Sequence, residues 1–128
     1  MASSLPLVLL LATLLAFPLP DSPVCKGLQL CYNLYSKLYF DGKLPPATVS
    51  YGPCPILNVQ ACTYKDDDGR FIVRLIPKYN SAPDTAHMNL LHETCHLAHW
   101  NEEFNDHGPV WQRCMHHLAD VGAFEAIW

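Results

Sequence analysis

Residues 92–96 read His-Glu-Thr-Cys-His, and eleven positions beyond His96 the chain reads His-Gly-Pro-Val-Trp. Two histidines four residues apart reach one point only if the chain between them is α-helical, because i and i+4 then share a face with Cβ atoms roughly 5–6 Å apart. The pattern therefore dictates a helix, and it dictates what that helix carries. Two imidazoles one turn apart suit a tetrahedral zinc ion, which is catalytic when a third protein ligand and one open position complete it. Glu93 sits beside His92 but is displaced around the helix, so its carboxylate reaches a water held by the metal and not the metal itself. Its expected role is general base, taking a proton from that water and passing it to the leaving amine of a peptide.

Several residues compete for the third ligand position. His99 lies one turn past His96, yet three ligands strung along one helix leave the outermost short of the ion. Glu102 and Glu103 offer carboxylates where the helix is expected to end. The longer zinc motif with Gly and His at positions 99 and 102 is excluded, because those residues are His99 and Glu102. His107 precedes Gly108-Pro109, and proline is favoured at the first position of a helix. A short loop there folds His107 back over the metal, so the residues favour His107 and leave the others open. Of the remaining histidines, His87 is expected to be exposed in a first helical turn, and His116 and His117 to lie along the edge of the last helix.

The chain around the motif reads as alternating periodicities. Leu28, Cys31, Leu34, Tyr35, Leu38 and Tyr39 form a helical stripe closed by Asp41-Gly42. Residues 47–52, 59–64 and 70–76 alternate or are rich in β-branched and aromatic side chains, and read as three strands. Lys65–Arg70 has the chemistry of a hairpin turn, and its three aspartates lack the alternate spacing and closing glutamate of a calcium loop. Ser81, Asp84 and Thr85 are cap candidates for a helix with Met88, Leu91, Cys95 and Ala98 on one face. Gly108-Pro109 opens a last helix striped by Val110, Trp111, Cys114, Met115 and Leu118. The expected class is α+β: an N-terminal helix, a three-stranded antiparallel sheet, the motif helix and a C-terminal helix, with the helices on one sheet face.

Composition changes once. Residues 1–24 carry no charge before Asp21, and the stretch Leu5–Phe17 is almost wholly apolar. That length suits the core of a signal peptide and is short for a bilayer span. The first four residues lack Lys and Arg, and Pro6 interrupts the run, so a mis-assigned start is the other reading of this leader. If it is a signal peptide the protein is secreted or exported; otherwise it is nuclear or cytoplasmic. Residues 25–128 are expected to form one domain, a length that suits a single core. The six cysteines lean towards an oxidising compartment: Cys54 and Cys62 are the plausible local pair, while Cys95 suits a buried free thiol equally well. A net charge of −4 gives no footprint for autonomous nucleic-acid binding, and no oligomer signal is present, so a monomer is expected.

Three segments together carry a resemblance. "LYSKLYFDGKLPPATVSYG", "RFIVRLIPKY" and "LLHETCHLAHWNEEFNDHGPVWQRCMHHL" resemble the SprT-like family, which includes the Spartan proteases that degrade proteins crosslinked to DNA. The likeness runs from about residue 27 to residue 120. It implies a zincin-like minimal metallopeptidase with one Zn2+ on His92, His96 and His107 and with Glu93 catalytic. It also implies protein or peptide substrates, DNA-crosslinked proteins among them, and a cysteine at position 95 that need not signal a disulfide. Members acting on DNA usually carry further basic or zinc-ribbon segments, which this acidic chain without a CxxC does not show. Two other readings stand beside the enzyme: a non-catalytic module stapled by zinc, and a disulfide-stabilised secreted protein whose histidines hold no metal.

Overall fold

Among the described residues, periodicity in the sequence resolves into three helices and one sheet. The computed structural model describes residues 25–125, and the apolar leader, residues 1–24, lies outside them. The first helix, α1 (Leu28–Tyr39), buries Leu28, Cys31, Tyr32 and Tyr35, the i, i+3, i+4, i+7 face of a helix. Leu38, expected on that stripe, is 59 % exposed. Polar contacts set the roll. Gln29 accepts a bond from the Val49 N–H at 2.9 Å and donates to the Ala47 carbonyl at 3.0 Å, and the Tyr32 hydroxyl donates to the Pro45 carbonyl. They draw the Gln29–Tyr32 edge onto the sheet and turn Leu38 outward.

Strands β1 (Ala47–Tyr51), β2 (Ala61–Lys65) and β3 (Phe71–Leu75) form one sheet in the order β1-β3-β2. β2 and β3 are the expected antiparallel hairpin. β1 instead pairs with β3 in parallel, Val49 opposite Val73, so the sheet is mixed and the all-antiparallel expectation is corrected. The two connections explain the difference. The β2–β3 turn is tight: Asp66 Oδ1 accepts from the N–H groups of Asp68 and Arg70 at 2.9 Å each, and Gly69 takes a φ of 79° that glycine adopts freely. Between β1 and β2 the Gly52–Gln60 segment has no such turn. Its Pro53 and Pro55 cannot donate to a ladder, and the Cys54–Cys62 disulfide ties it to the start of β2. β1 therefore lies on the far side of β3, and β2 is left at an edge.

Inward-facing Ala47, Val49, Ala61, Phe71, Val73 and Leu75 share one core cluster with residues of all three helices. That core lies on one face of the sheet, as expected for an α+β arrangement. The chain leaves β3 through a 3-10 turn (Pro77–Tyr79) and reaches Asn80, which is 2 % exposed. The Asn80 amide donates to the carbonyls of Gln60 and Ile76 at 2.9 and 2.8 Å, and its oxygen accepts from Asn89 at 2.7 Å. This node ties the start of β2 to the next helix, α2 (Pro83–Ala98).

α2 begins differently from the expectation. Ala82 occupies the cap position with no side-chain bond, and Pro83 with Asp84 in the first turn supplies the start. The helix is wedged between the sheet and its neighbours, so it buries a broad face that includes Ala86, Leu90, Leu91, Thr94, Cys95 and Leu97. Met88, expected inward, is 47 % exposed. His87, expected to be exposed, is buried, with its Nδ1 against the Tyr35 hydroxyl. The last helix, α3 (Pro109–Asp120), buries Cys114 and Leu118. Cys114 is bonded to Cys95 and Cys25 to Cys31, so Cys95 is not a free thiol. Among the described residues no helix is long and apolar enough to cross a membrane.

Candidate metal centre

The middle of α2 presents His92 and His96 on one side, and the loop after it returns His107 to the same point. His92 Nε2 lies 3.1 Å from His96 Nε2 and 3.2 Å from His107 Nε2. A tetrahedral zinc with nitrogens at about 2.0–2.1 Å needs ligand nitrogens roughly 3.3 Å apart, so the three imidazoles fit such an ion with little movement. Three ring nitrogens this close have little else to do for one another. At most one proton lies between any two of them, and His92 Nε2 faces both partners.

Electrostatics favours the neutral form that metal ligation needs. In the metal-free chain, burial lowers the His92 pKa to about 4, with His96 and His107 adding to the fall. Burial also lowers His96 to about 4, helped by His107 and opposed by Asp106. Trp111 packs on all three rings, with centroids 4.7 Å from His92, 5.7 Å from His96 and 4.6 Å from His107. Its indole N–H donates to the His92 carbonyl at 3.3 Å. One aromatic plate thus braces every ring of the cluster from the first turn of α3.

The loop from His99 to Gly108 carries its own scaffold. Glu103 accepts from the N–H groups of Val110 and Trp111 at 3.2 and 2.9 Å, capping the positive end of α3. Asn105 Oδ1 accepts from the His107 N–H at 3.2 Å, and the His107 carbonyl accepts from the Gln112 amide at 2.8 Å. His107 is therefore fixed by backbone contacts on both sides while its ring reaches the cluster. The competing candidates are engaged elsewhere: His99 Nδ1 lies 3.0 Å from Glu102 Oε2, and Glu103 serves as the cap. His116 and His117 are exposed on α3. A second group, Cys25, Cys31 and His87, also lies within ligand distance, but its sulfurs are joined to each other and offer no thiolate.

Glu93 points from α2 towards β2. It is 5 % exposed, and its Oε2 stands 3.7 Å from His92 Nε2. With His92 neutral at pH 7 this contact is no ion pair. Its Oε1 accepts a bond from the Thr63 hydroxyl at 2.8 Å. Burial pushes the Glu93 carboxyl up to about 7, against the downward pull of that hydrogen bond. A carboxyl that titrates near neutrality beside a three-histidine cluster is suited to exchanging protons.

A cleft of about 560 Å3 opens over the site, lined by Ile56, Val59 and Ala61 from the disulfide loop and β2, and by Asn101, Asn105 and Asp106 from the loop before α3. Sequence reasoning passed over three contributors: Trp111 as a brace, Glu103 as a cap, and Thr63. Trp111 stands four residues after His107, so the spacing of the His-Gly-Pro-Val-Trp segment held a signal for it. Thr63 held none, because it meets Glu93 only across the fold.

No curated protein matches the chain at a significant level. The model of the SprT-like family matches residues 28–126, which takes in every element described above, and the chain belongs to the SprT-like family.

Proposed function

We propose that this protein is a zinc-dependent metallopeptidase, with His92, His96 and His107 holding one Zn2+ and Glu93 acting as general base. The observation that carries the reading is the approach of three imidazole nitrogens to 3.1 and 3.2 Å beside a buried carboxylate. Zinc bound there supplies a Lewis acid that makes water acidic enough to attack a peptide carbonyl at neutral pH. Glu93 takes the proton of the attacking water at Oε2 and returns it to the leaving amine nitrogen. Trp111 holds the three imidazoles in place, and the cleft admits an extended protein or peptide segment. Burying Glu93 costs stability that a purely structural site has no need to spend, which favours catalysis over a zinc-stapled binding module.

Three disulfides among the described residues favour maturation in an oxidising compartment, so export belongs to the proposal. DNA-crosslinked proteins are a substrate class suggested by the family, and the net charge of −4 favours substrates free of nucleic acid.

The test is zinc per chain by elemental analysis, with proteolysis measured beside it, on the parent and on the His107→Ala and Glu93→Gln variants. The reading expects near-stoichiometric zinc in the parent, loss of most of it in His107→Ala, and in Glu93→Gln full zinc with activity down at least 100-fold. A parent that holds zinc and cleaves nothing would give the site to a binding module, and unchanged proteolysis in Glu93→Gln would take the role of base from Glu93. A folded parent that takes up no zinc would remove the metal altogether.

A further inference from the structure

We infer that Thr63 is a positioning residue for Glu93: its hydroxyl holds one carboxylate oxygen so that the other alone faces the three-histidine centre. The inference rests on the peptidase reading above.

Thr63 occupies an inward position of β2, opposite Val73 and between Ala61 and Lys65, which pair with Leu75 and Phe71. Ala61, Phe71, Val73 and Leu75 all belong to the apolar core or pack against it. At such a position valine has nearly the shape of threonine, favours a strand as well, and carries no polar atom. Thr63 is half-buried and lines the cleft over the site beside Glu93, where a hydroxyl serves the fold no better than a methyl unless a polar partner meets it. Here the partner is Glu93 Oε1 at 2.8 Å, thirty residues away in sequence. The contact is reciprocal: among the described residues Thr63 supplies the hydrogen bond that this buried carboxylate receives.

The geometry says what the bond does. The terminal torsion of a glutamate is broad and nearly two-fold, so an untethered carboxylate samples many directions. Tethered through Oε1, it keeps Oε2 at 3.7 Å from His92 Nε2, beside the position where a proton must be taken. Misplacing a reacting group by about 1 Å can cost on the order of 100-fold in rate. Thr63 touches neither metal nor substrate in this arrangement, and acts only by fixing where Glu93 points.

The experiment compares parent, Thr63→Val and Thr63→Ser as zinc-loaded full chains. Its probe is a quenched fluorescent peptide chosen because the parent cleaves it. Thr63→Val is expected to keep its zinc and its KM within about twofold while kcat falls roughly 10- to 100-fold, the worth of one hydrogen bond to a charged group. Thr63→Ser, which keeps the hydroxyl and loses the methyl, restores kcat to within about threefold. A second readout needs no activity: urea unfolding of the metal-free Thr63→Val, Glu93→Leu and double variants. Thr63→Val strands the buried Glu93 carboxyl, and in the Glu93→Leu background there is no carboxyl to strand, so the midpoint lost by the double variant should fall well short of the sum of the singles. Parental kcat in Thr63→Val, equal damage in Thr63→Ser, or additive midpoints would each overturn the positioning role. A parent that holds zinc and cleaves no peptide overturns the peptidase reading itself, and the positioning role with it. An active parent beside an equally active Thr63→Val overturns the inference alone.

Discussion

At Gly108 an added Cβ would lie 2.5 Å from Glu103 Oε2 and 3.2 Å from the Asn105 carbonyl oxygen. Both are atoms of the scaffold that aims His107, so the lack of a side chain at Gly108 is what lets the cap and the ligand loop close together. Gly108→Ala is expected to displace Glu103, at a cost of about 1 kcal/mol for the lost cap, and to weaken zinc binding roughly tenfold. Titration of the metal-free variant with zinc checks this, and parental affinity would contradict it. The histidines make a second prediction at this scale. Burial holds His92 and His96 at about 4 and lowers His87 as well, whereas unfolded histidine titrates near 6.5. The unfolded chain therefore binds more protons between those values, and stability is lost as pH falls from about 6.5 to about 4. Glu93 at about 7 works the other way: the folded chain keeps a proton that the unfolded chain releases, so its contribution is lost as pH rises from about 4.5 to 7. Three histidines outweigh one glutamate, and the metal-free chain should show a lower urea midpoint at pH 5 than at pH 7.5. An unchanged or higher midpoint at pH 5 would mean that the imidazoles are not buried in solution.

Helix against helix, the centre depends on how α3 is held on α2. Their junction carries the Cys95–Cys114 bond, with a sequence separation of 19, and the loop it closes contains both His96 and His107. Closing a loop of that length stabilises a fold by about 3 kcal/mol when the unfolded chain is the main thing constrained. The double variant Cys95→Ser, Cys114→Ser is therefore expected to lose about that much by urea unfolding. Because His107 travels with α3, it is also expected to bind zinc more weakly than the parent. A variant with parental zinc affinity would show that Glu103, Asn105 and Gln112 hold His107 without help. At the sheet, the Asn80 node plays a comparable part, since it joins the start of β2 to α2 and so sets the distance across which Thr63 meets Glu93.

For the whole molecule, a metal bound only by the folded chain is a stabiliser by mass action. Zinc at about 100 times its Kd adds about 2.7 kcal/mol, which in a domain of roughly 100 residues raises Tm by on the order of 10 °C. The parent should show that rise by calorimetry and lose it to a chelator, while His107→Ala should show a small fraction of it. An equal response in both chains would place the metal on a site without His107. The state of the metal-free chain separates an exported, disulfide-closed domain from one that folds only around its metal. With three disulfides the metal-free parent should remain folded at room temperature and melt cooperatively.

What the residues determined alone was local, the start of α2 apart. The i, i+4 spacing of His92 and His96 requires a helix, Gly108-Pro109 starts another, and Asp66–Gly69 closes a hairpin, each for reasons confined to a few neighbouring residues. Class and element order followed from periodicity, and the place of His107 before a helix start favoured it as the third member while leaving His99, Glu102 and Glu103 open. The tertiary structure decided relations that no local pattern encodes. It set the parallel pairing of β1 with β3, the burial of His87 against Tyr35, the outward roll of Leu38 and the pairing of Cys95 with Cys114. Thr63 shows the physical reason most plainly. A strand position is chosen locally for its shape and its fit to a pleated surface. A hydroxyl at that position gains its meaning only when packing brings a buried carboxylate to within 2.8 Å of it.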